Sequence, residues 1–494
     1  MIDIKVKIHD KFSFEFKTSF IATRKSKMSD TNEFSINMWM FVPNSLDINR
    51  STYSKDQFYR DTKSNVRLIT PVYSLKDIYN GDQCPLSRLR ASIEELKANP
   101  EDQNSSANYA YQVRMFSSIF KSASRDRAYF ITDRENDDEI AELIAEYISE
   151  ISDILLHYRK LSEIMDEKMT KDNLQYFSFG DDFIGNIAEQ NAYRIMRRLS
   201  GRPVYESIKN QLLELVKKED SYKNKKGYSQ LDPKDPTNNY LVVMRRGILK
   251  KFIESDLYLN TKSLKDGALA QQFYYGIAAG VSMVFATVVA FTAQQRYGNF
   301  TVPLFFALVV SYIFKDRIKD LMRYYFSTQL GKKYFDNKRE LEIQKQKIGW
   351  SKEAFDFVSE EKIPEKVMNI RKRSPLVEAE SKIYNEQIIL YKKLVQLSST
   401  HISQYKGYRF VGINDITRFN LTNFIQKMDN PFVPLCMPDE KNGYILSPSE
   451  KVYALHIVLR CQGHSKLYYR KFRLLFNREG IKDITEINST PDLS

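Results

Sequence analysis

The chain has 494 residues, of which 42% are apolar and 28% charged, and its formal net charge is +13. This length leaves room for about two or three domains, and the positive charge suits an anionic partner such as a membrane surface or a nucleic acid. Three scattered cysteines (Cys84, Cys436 and Cys461) and five histidines argue against a disulfide framework and a structural zinc site.

The first predicted region, residues 1–80, is rich in β-strands. Apolar and polar residues alternate over residues 2–8 and again over 12–16, which predicts a β-hairpin with one apolar face. The same alternation over residues 34–40 predicts a third strand.

Residues 84–265 are predicted to be helical. Over residues 140–165, apolar side chains recur at alternating spacings of four and three, which is a heptad seam. The seam consists of Ile140, Ile144, Tyr147, Ile151, Ile154, Tyr158, Leu161 and Met165. It either packs within its own domain, as most amphipathic helices do, or pairs with another copy of the chain. Further predicted helices cover residues 182–199, 205–217 and 240–257. Polar residues 218–239 are predicted to form an exposed loop.

Region 266–325 is apolar enough to suggest a membrane. Residues 267–295 carry no formal charge, and neither do residues 297–314. A bilayer core about 30 Å thick needs about 20 apolar residues in a helix. We therefore expect a transmembrane hairpin with spans at residues 273–293 and 300–314. Two buried core helices are the alternative, but tyrosines near the ends of both spans favour the membrane.

The charges around the spans predict the topology. Lysine and arginine near span ends tend to stay in the cytoplasm, and the turn between the spans carries only Arg296. We expect a multi-pass protein of the inner (cell) membrane with both termini cytoplasmic. Lys315, Asp316, Arg317 and Lys319, just after the second span, either form rings at the mouth of a pore or rest on lipid headgroups.

Small residues on the first span predict close helix contact. Gly276 and Gly280 form a GxxxG pair, and Ser282 and Ala286 extend a row of small side chains. Such faces let helix backbones approach closely in lipid. The partner is either the second span or another copy of the chain. The spans carry no ionisable residue, which argues against an ion-coupled carrier.

Residues 326–400 are predicted to be a helical stalk region. A helical rhythm with alternating charge continues to Gln346, and residues 376–397 have the pattern of an amphipathic helix.

The C-terminal region, residues 404–485, returns to β-structure, with strands predicted at 452–460 and 466–476. The second strand carries the candidate ligand-binding residues Tyr469, Arg470, Lys471 and Arg473. A strand surface with aromatic and basic side chains can bind a nucleotide or a single-stranded nucleic acid by stacking and charge. A solvated strand face is the alternative.

Catalytic motifs are absent: there is no GxGxxG, Walker A, GxSxG or HExxH. We expect no enzyme, no cofactor and no metal site. Asp181 and Asp182 resemble a catalytic acidic pair, but their position just before a predicted helix is typical of an N-terminal cap. If the chain were an enzyme, these two residues with His456 and His464 would be the first candidates.

The layout, a short transmembrane hairpin on a large cytoplasmic body, resembles membrane effectors of bacterial anti-phage (abortive infection) defence. Those proteins perturb the membrane when triggered, so the resemblance implies a regulated membrane activity, but it transfers no residue. The expected fold class is an α+β integral membrane protein, with a two-helix transmembrane hairpin and a cytoplasmic body of helices and β-hairpins.

The expected function is a homo-oligomeric pore or channel in the lipid bilayer, gated by a ligand on its cytoplasmic body. The regulator would be a nucleotide, a nucleic acid or a partner protein. The alternative is a membrane-anchored scaffold or adaptor, in which the spans serve only as an anchor.

Overall fold

The chain divides into two compact units. The computed structural model describes residues 2–22, 30–165, 169–232, 234–237, 239–343, 346–383, 386–403, 407–463 and 466–487. The first unit, here called the sheet unit, comprises Met1–Val66, Asn260–Tyr405 and Val411–Ser494. The second, the helical unit, comprises Arg67–Leu259 and Lys406–Phe410.

The strands lie mainly in the sheet unit. They are β1 (Ile2–Asp10), β2 (Ser13–Ile21), β3 (Thr31–Val42), β4 (Thr62–Leu68), β5 (Asn260–Lys265), β6 (Asn337–Ile343), β7 (Gln346–Phe357), β8 (Gln387–Ser398), β9 (Gly412–Asn420), β10 (Phe432–Asp439), β11 (Gly443–Glu450), β12 (Tyr453–Gln462), β13 (Leu467–Asn477) and β14 (Gly480–Ile487).

The helices divide between the two units. They are α1 (Lys55–Asp61), α2 (Leu75–Tyr79), α3 (Pro85–Ala98), α4 (Gln103–Thr132), α5 (Asp137–Lys160), α6 (Lys171–Leu199), α7 (Tyr205–Lys226), α8 (Asn239–Ile253), α9 (Ala268–Tyr297), α10 (Val302–Lys333), α11 (Glu365–Arg371), α12 (Pro375–Ile383), α13 (Ser399–Ser403) and α14 (Thr422–Ile425). Helices α2 to α8 belong to the helical unit.

Two sheets pack face to face in the sheet unit. One has eight strands in the order β14-β13-β12-β3-β8-β7-β6-β5, and the other has four in the order β1-β2-β9-β4. The rings of Phe16 and Phe472 meet between the sheets at 6.0 Å, and those of Phe20 and Phe34 at 5.4 Å. N-terminal β3 lies beside C-terminal β12, so both ends of the chain contribute to one core.

The predicted N-terminal hairpin is confirmed. Strands β1 and β2 pair antiparallel, with Val6 opposite Phe16. Ile2 and Ile4 of β1 are buried and alternate with exposed residues, because successive side chains of a strand point to opposite faces. The predicted strands at 34–40, 452–460 and 466–476 correspond to β3, β12 and β13.

A short helical segment covers the outer face of the eight-stranded sheet. Trp39 and Phe41 of β3 and Val458 of β12 form a buried cluster there with Ile363 and Val367, which lie just before and within α11. Burying apolar surface on both faces of these strands stabilises the segment on the sheet. This segment ends at Arg371, the last residue of α11, and the next residue, Lys372, has a φ of 40°.

A group of charges is buried between the two sheets. The Lys393 ammonium of β8 lies 3.0 Å from a carboxylate oxygen of Glu353 on β7 and also pairs with Asp415 of β9. Arg339 lies 3.4 Å from Glu353, and the Ser64 hydroxyl donates a 2.8 Å hydrogen bond to Asp415. The two positive and two negative charges therefore compensate one another inside the core.

The heptad seam packs within the helical unit. The six seam residues on α5, from Ile140 to Tyr158, are completely buried, and α5 contacts α4, α6 and α7. Tyr147 also exchanges a 2.9 Å hydrogen bond with Ser124 of α4. The first of the two alternatives, packing within the domain, is therefore the one that the structure adopts.

The helix predicted over residues 376–397 is confirmed for residues 376–383 and was wrong for residues 387–397, which form a strand. Helix α12 ends at Ile383, and β8 begins at Gln387. Strand β8 is buried on both faces at its start, where Ile388 meets the outer cluster and Ile389 is fully buried on the opposite face. A strand covered on both sides has a continuous apolar run, and periodicity alone cannot distinguish it from a buried helix.

Other boundaries also differ from the predictions. The helical rhythm beyond residue 314 holds only to Lys333, since β6 and β7 occupy much of the predicted stalk. Helix α7 extends through Lys226 into the predicted loop 218–239, and its end is capped by Gly227 in the left-handed conformation. Helix α9 likewise continues to Tyr297, through most of the predicted polar turn.

Candidate functional site

Helix α9 carries a large exposed apolar surface. Among the residues that the structure describes, it is the one helix long and apolar enough to cross a membrane, by length and composition. Only 17% of its most apolar stretch is buried, and Phe273 and Phe291 are 69% and 67% exposed. A soluble protein rarely leaves a contiguous apolar patch of this kind open to water.

Helix α10 runs antiparallel along α9. The Ser311 hydroxyl donates a 3.5 Å hydrogen bond to the Ala286 carbonyl, and the rings of Tyr274 and Phe326 lie 5.0 Å apart. Residues 315–319 follow Ser311 by roughly one to two turns. They therefore lie beside the stretch of α9 that precedes Ala286, which is the middle of the predicted first span.

The four predicted pore-mouth residues thus lie alongside α9 rather than at the end of the helix pair. Arg317 is exposed, and the other three are half-buried. The Lys315 ammonium lies 3.6 Å from the centre of the Tyr312 ring, and Lys319 pairs with Asp316 at 3.2 Å. These four charged residues of α10 therefore lie at the same position along the helix pair as an apolar stretch of α9.

The predicted small-residue face divides into two parts. Ser282 is buried against α10, and Ala286 accepts the hydrogen bond from Ser311. Gly276 and Gly280 are exposed, and a Cβ atom added to either would meet no atom within 4 Å. The glycine pair is therefore open for a contact outside the chain.

Both ends of the helix pair are fixed to the eight-stranded sheet. Asp336, just after α10, accepts hydrogen bonds from Lys55 (2.6 Å), the Tyr59 hydroxyl (2.9 Å) and the Phe355 amide (2.8 Å). Asp266, just before α9, pairs with Lys352 at 3.0 Å. These anchors were not predicted from the sequence, although two aspartates flanking a long apolar region are a visible signal.

A close contact joins the start of α9 to the end of α10. Gly267 precedes α9 with a φ of 72°, and a Cβ atom there would lie 2.6 Å from Cγ of Tyr334. One residue before Asp266, Lys265 of β5 is the register partner of Asn337 of β6. The helix pair is therefore an insertion between two neighbouring, hydrogen-bonded strands.

The four candidate ligand-binding residues lie on both faces of β13. Tyr469 packs against the outer cluster, and Lys471 and Arg473 share its face. Arg470 lies on the inner face, where it pairs with Glu486 at 2.5 Å and donates to the Ile4 carbonyl. Arg470 is therefore separated from the other three.

The acidic pair of the helical unit is a structural element. Asp181 and Asp182 are each 2% exposed and lie within α6, so the expected N-terminal cap was wrong. Arg159 lies 3.0 Å from Asp181, the Tyr222 hydroxyl donates a 2.8 Å hydrogen bond to it, and Arg245 lies 2.8 Å from Asp182. These buried carboxylates are held by two partly exposed arginines and are themselves closed to a substrate.

Three of the four residues named as catalytic candidates lie in the described part of the chain. No group of three or more His, Cys, Asp or Glu residues there could hold a metal ion. His456 lies on β12, far from the acidic pair along the chain, and His464 falls outside the described residues.

The fold and the helix pair define a mixed α+β protein with one helix apolar and long enough to cross a membrane. Comparison of the chain with protein-family models, with curated proteins and with solved structures finds no match.

Proposed function

We propose that the chain is a homo-oligomeric membrane protein in which α9 and α10 both cross the bilayer and α10 lines a regulated pore. The observation that carries this proposal is the position of the charged residues of α10 along the helix pair. Lys315, Asp316, Arg317 and Lys319 lie beside the stretch of α9 that is apolar and exposed. A helix pair inserted deeply enough to cover that stretch with lipid brings these charges into the bilayer.

The ends of the helix pair support two crossings. Because Lys265 and Asn337 are register partners, the chain leaves the sheet and returns to it at one place. If α9 crosses the bilayer, α10 must therefore cross it in the opposite direction. The uncharged part of α10, residues 302–314, is about 20 Å long at about 1.5 Å per residue, which is shorter than a bilayer core of about 30 Å.

Charges within the bilayer require water or partners. Ionisable side chains in membrane segments face a bundle interior or a water-filled cavity, because their exposure to lipid is costly. Two helices enclose no such cavity, so the proposal needs several copies of the chain, with α9 toward lipid and α10 toward a central axis. The open face at Gly276 and Gly280 supports contact between copies, since small residues permit close helix approach.

The signs of the lining charges predict the ion that passes. Residues 315–319 contribute three positive charges and one negative charge, or +2 per copy (3 − 1). Rings of Lys and Arg favour anions in a pore. The proposed pore is therefore anion-selective.

The test is the ionic current across a planar bilayer that holds the purified full-length protein. We expect discrete conductance steps and, in a salt gradient, a reversal potential close to that of chloride. Arg317→Glu should lower the anion preference, because it changes each ring by two charges. Lys441→Glu makes the same change at an exposed site between β10 and β11 and should leave selectivity unchanged. A silent bilayer with insertion verified would refute the pore.

The competing proposal is a membrane-anchored scaffold or adaptor. The pairing of Lys319 with Asp316 on α10 favours it, because paired charges can rest at the headgroup level when only the far half of the helix pair is inserted. The two proposals differ at Val281, which is 46% exposed. In a variant without native cysteines, Val281→Cys should resist water-soluble maleimides if the helices span fully, and should react if insertion is shallow.

The biological role proposed for the pore is that of an anti-phage membrane effector with both termini in the cytoplasm. Lys262, Lys265 and Arg323 lie toward the body end of the helix pair, whereas the turn at its far end carries only Arg296, which supports that orientation. Expression of the full chain in bacteria challenged with phage tests the role. Protection that disappears with Arg317→Glu would support it, and protection that persists without α9 and α10 would contradict it.

A further inference from the structure

A cavity of about 350 Å³ opens on the outer face of the eight-stranded sheet. Arg371 at the end of α11, Glu386 and His456 of β12 line one part of it. Val377 and Tyr453 contribute apolar and aromatic surface on another part. Its volume lies within the range of small-molecule sites, about 300–1,000 Å³.

Two buried polar nitrogens at this cavity lack partners within the described chain. Arg371 is 4% exposed, and although its terminal nitrogen donates to Glu386 at 2.9 Å, its Nε has no hydrogen-bond partner among the described residues. The buried Nδ1 of His456 also lacks a partner within the described chain. A buried donor without an acceptor is destabilising, so the Arg371 Nε–H favours an additional acceptor. His456 can donate to the same acceptor in the tautomer that carries its proton on Nδ1.

Further positively charged side chains lie next to Arg371 and His456. Lys471 is 7% exposed and donates a 2.7 Å hydrogen bond to the Arg371 carbonyl. It makes no ion pair with any carboxylate in the described part of the chain. Arg473, on the same face of β13, is the register partner of His456. Glu386 is the acidic residue at the cavity, and it is shared with Arg373.

The pKa values of this group reflect its excess positive charge. Burial, followed by the charges of Arg371, Lys471 and Arg473, lowers the pKa of His456 to about 3. Burial, and then Arg371 and other neighbouring cations, also lowers the pKa of Lys471. Each shift means that the environment disfavours a further positive charge. A bound anion would relieve this repulsion.

We propose that this cavity binds a nucleotide, with its phosphate at Arg371 and His456 and its base against Tyr453. Arginine recognises phosphate through directed, charge-assisted hydrogen bonds, and an aromatic ring stacks on the flat face of a base. Asn44 and Ser45, which also line the cavity, supply polar groups for the edge of the base. The assignment is to a small phosphate-bearing molecule rather than to a nucleic acid strand.

As a regulatory site, the cavity rests on the function proposed above, because a nucleotide would act there by controlling the membrane helices. The cavity is formed by β12, the turn after β3 and the end of α11. The helix pair leaves the same sheet between β5 and β6. Binding itself does not depend on membrane activity.

The experiment is isothermal titration of the full-length protein in detergent with AMP, GMP, adenosine and inorganic phosphate. We expect AMP or GMP to bind more tightly than phosphate, and adenosine to bind weakest. Arg371→Gln should raise the Kd roughly tenfold or more, because it removes a charge-assisted contact. Arg373→Gln is the matched control, since Arg373 also pairs with Glu386 but does not line this cavity. Thermal unfolding verifies that both variants are folded.

A second variant tests the proposal in case Arg371→Gln does not fold. Lys471→Met keeps the length of the side chain and should also weaken nucleotide binding. Equal affinity for AMP and adenosine, an unchanged Kd in Arg371→Gln, or binding of oligonucleotides alone would overturn the assignment. If nucleotides bind but no current flows, nucleotide binding at the cavity is supported and the pore is refuted. If current flows but no nucleotide binds, the pore is supported and nucleotide binding at the cavity is refuted.

Discussion

Replacing Lys393 by methionine tests the buried charges between the two sheets. Lys393 is fully enclosed and paired with both Glu353 and Asp415. Removing one partner of a buried pair typically costs about 3–5 kcal/mol, because a charge is left without compensation. Outside residues 268–333 the sheet unit has 230 residues, and for a domain of about 150–250 residues each kcal/mol shifts Tm by about 2–4 °C. The expected fall in the Tm of the sheet unit is therefore roughly 6–20 °C.

The pH dependence provides a second signature. Burial opposes the charge of Glu353, but Lys393 and Arg339 outweigh it and hold the pKa of Glu353 below its usual value of 4.5. In the native protein this contribution is present above pH 4.5 and is lost as the pH falls through the folded pKa. Without Lys393, burial prevails and the pKa of Glu353 rises. The charged carboxylate then destabilises the fold at neutral pH, and protonation removes that penalty.

The assay is thermal unfolding in detergent, followed by circular dichroism between pH 7 and pH 5. The stability deficit of Lys393→Met should shrink as the pH falls. Lys482→Met, at an exposed lysine near Glu450 and Glu479, should leave Tm unchanged. A fall of less than about 3 °C, or a deficit that grows on acidification, would refute the reasoning, since a buried uncompensated carboxylate predicts the opposite.

The connection between the helix pair and the sheet yields two further predictions. Gly267→Ala should lower Tm by more than Gly227→Ala, because both glycines have φ near 70° but only Gly267 faces an aromatic ring, that of Tyr334; equal losses would show that backbone strain alone acts. Replacing residues 266–336 by Asn-Gly should leave a body that remains soluble without detergent, because the flanking strands are already register partners and Asn-Gly forms two-residue hairpin turns. Dependence of the shortened protein on detergent would contradict the proposed membrane role of the helices.

Alternation along the chain was enough to predict several strands. Strand β1 and the first half of β3 alternate between buried and more exposed side chains, so a period of two is visible there in the sequence. Strand β8 has no such contrast at its start, because Ile388 and Ile389 are both buried. Residues 387–398 form a strand because β3 and β7 pair with them, and the local sequence pattern does not show these partners.

The candidate cavity could be predicted only in part. Lys471 and Arg473 stood out as a basic cluster on a strand, and both contribute positive charge near the cavity. Arg371 and His456 lie 85 residues apart (456 − 371), and the fold brings them together through α11 on the sheet. Arg470, next to Lys471, lies on the opposite face and has a structural role. Adjacent residues of a strand point to opposite faces of the sheet, whereas residues distant in sequence can meet at one site.

The strand order of the eight-stranded sheet also sets an order of events during synthesis. Strand β3 pairs with β12, so residues 43–452, 410 in number (452 − 42), are translated between the two partners. Helix α10 is complete 119 residues (452 − 333) before β12 begins. At about 5–20 residues per second, that interval lasts roughly 6–24 s. In the proposed membrane protein, each new copy therefore has its membrane helices before β12, which lines the proposed nucleotide cavity, is translated. Control of the proposed pore by a nucleotide therefore becomes available only when the chain is complete.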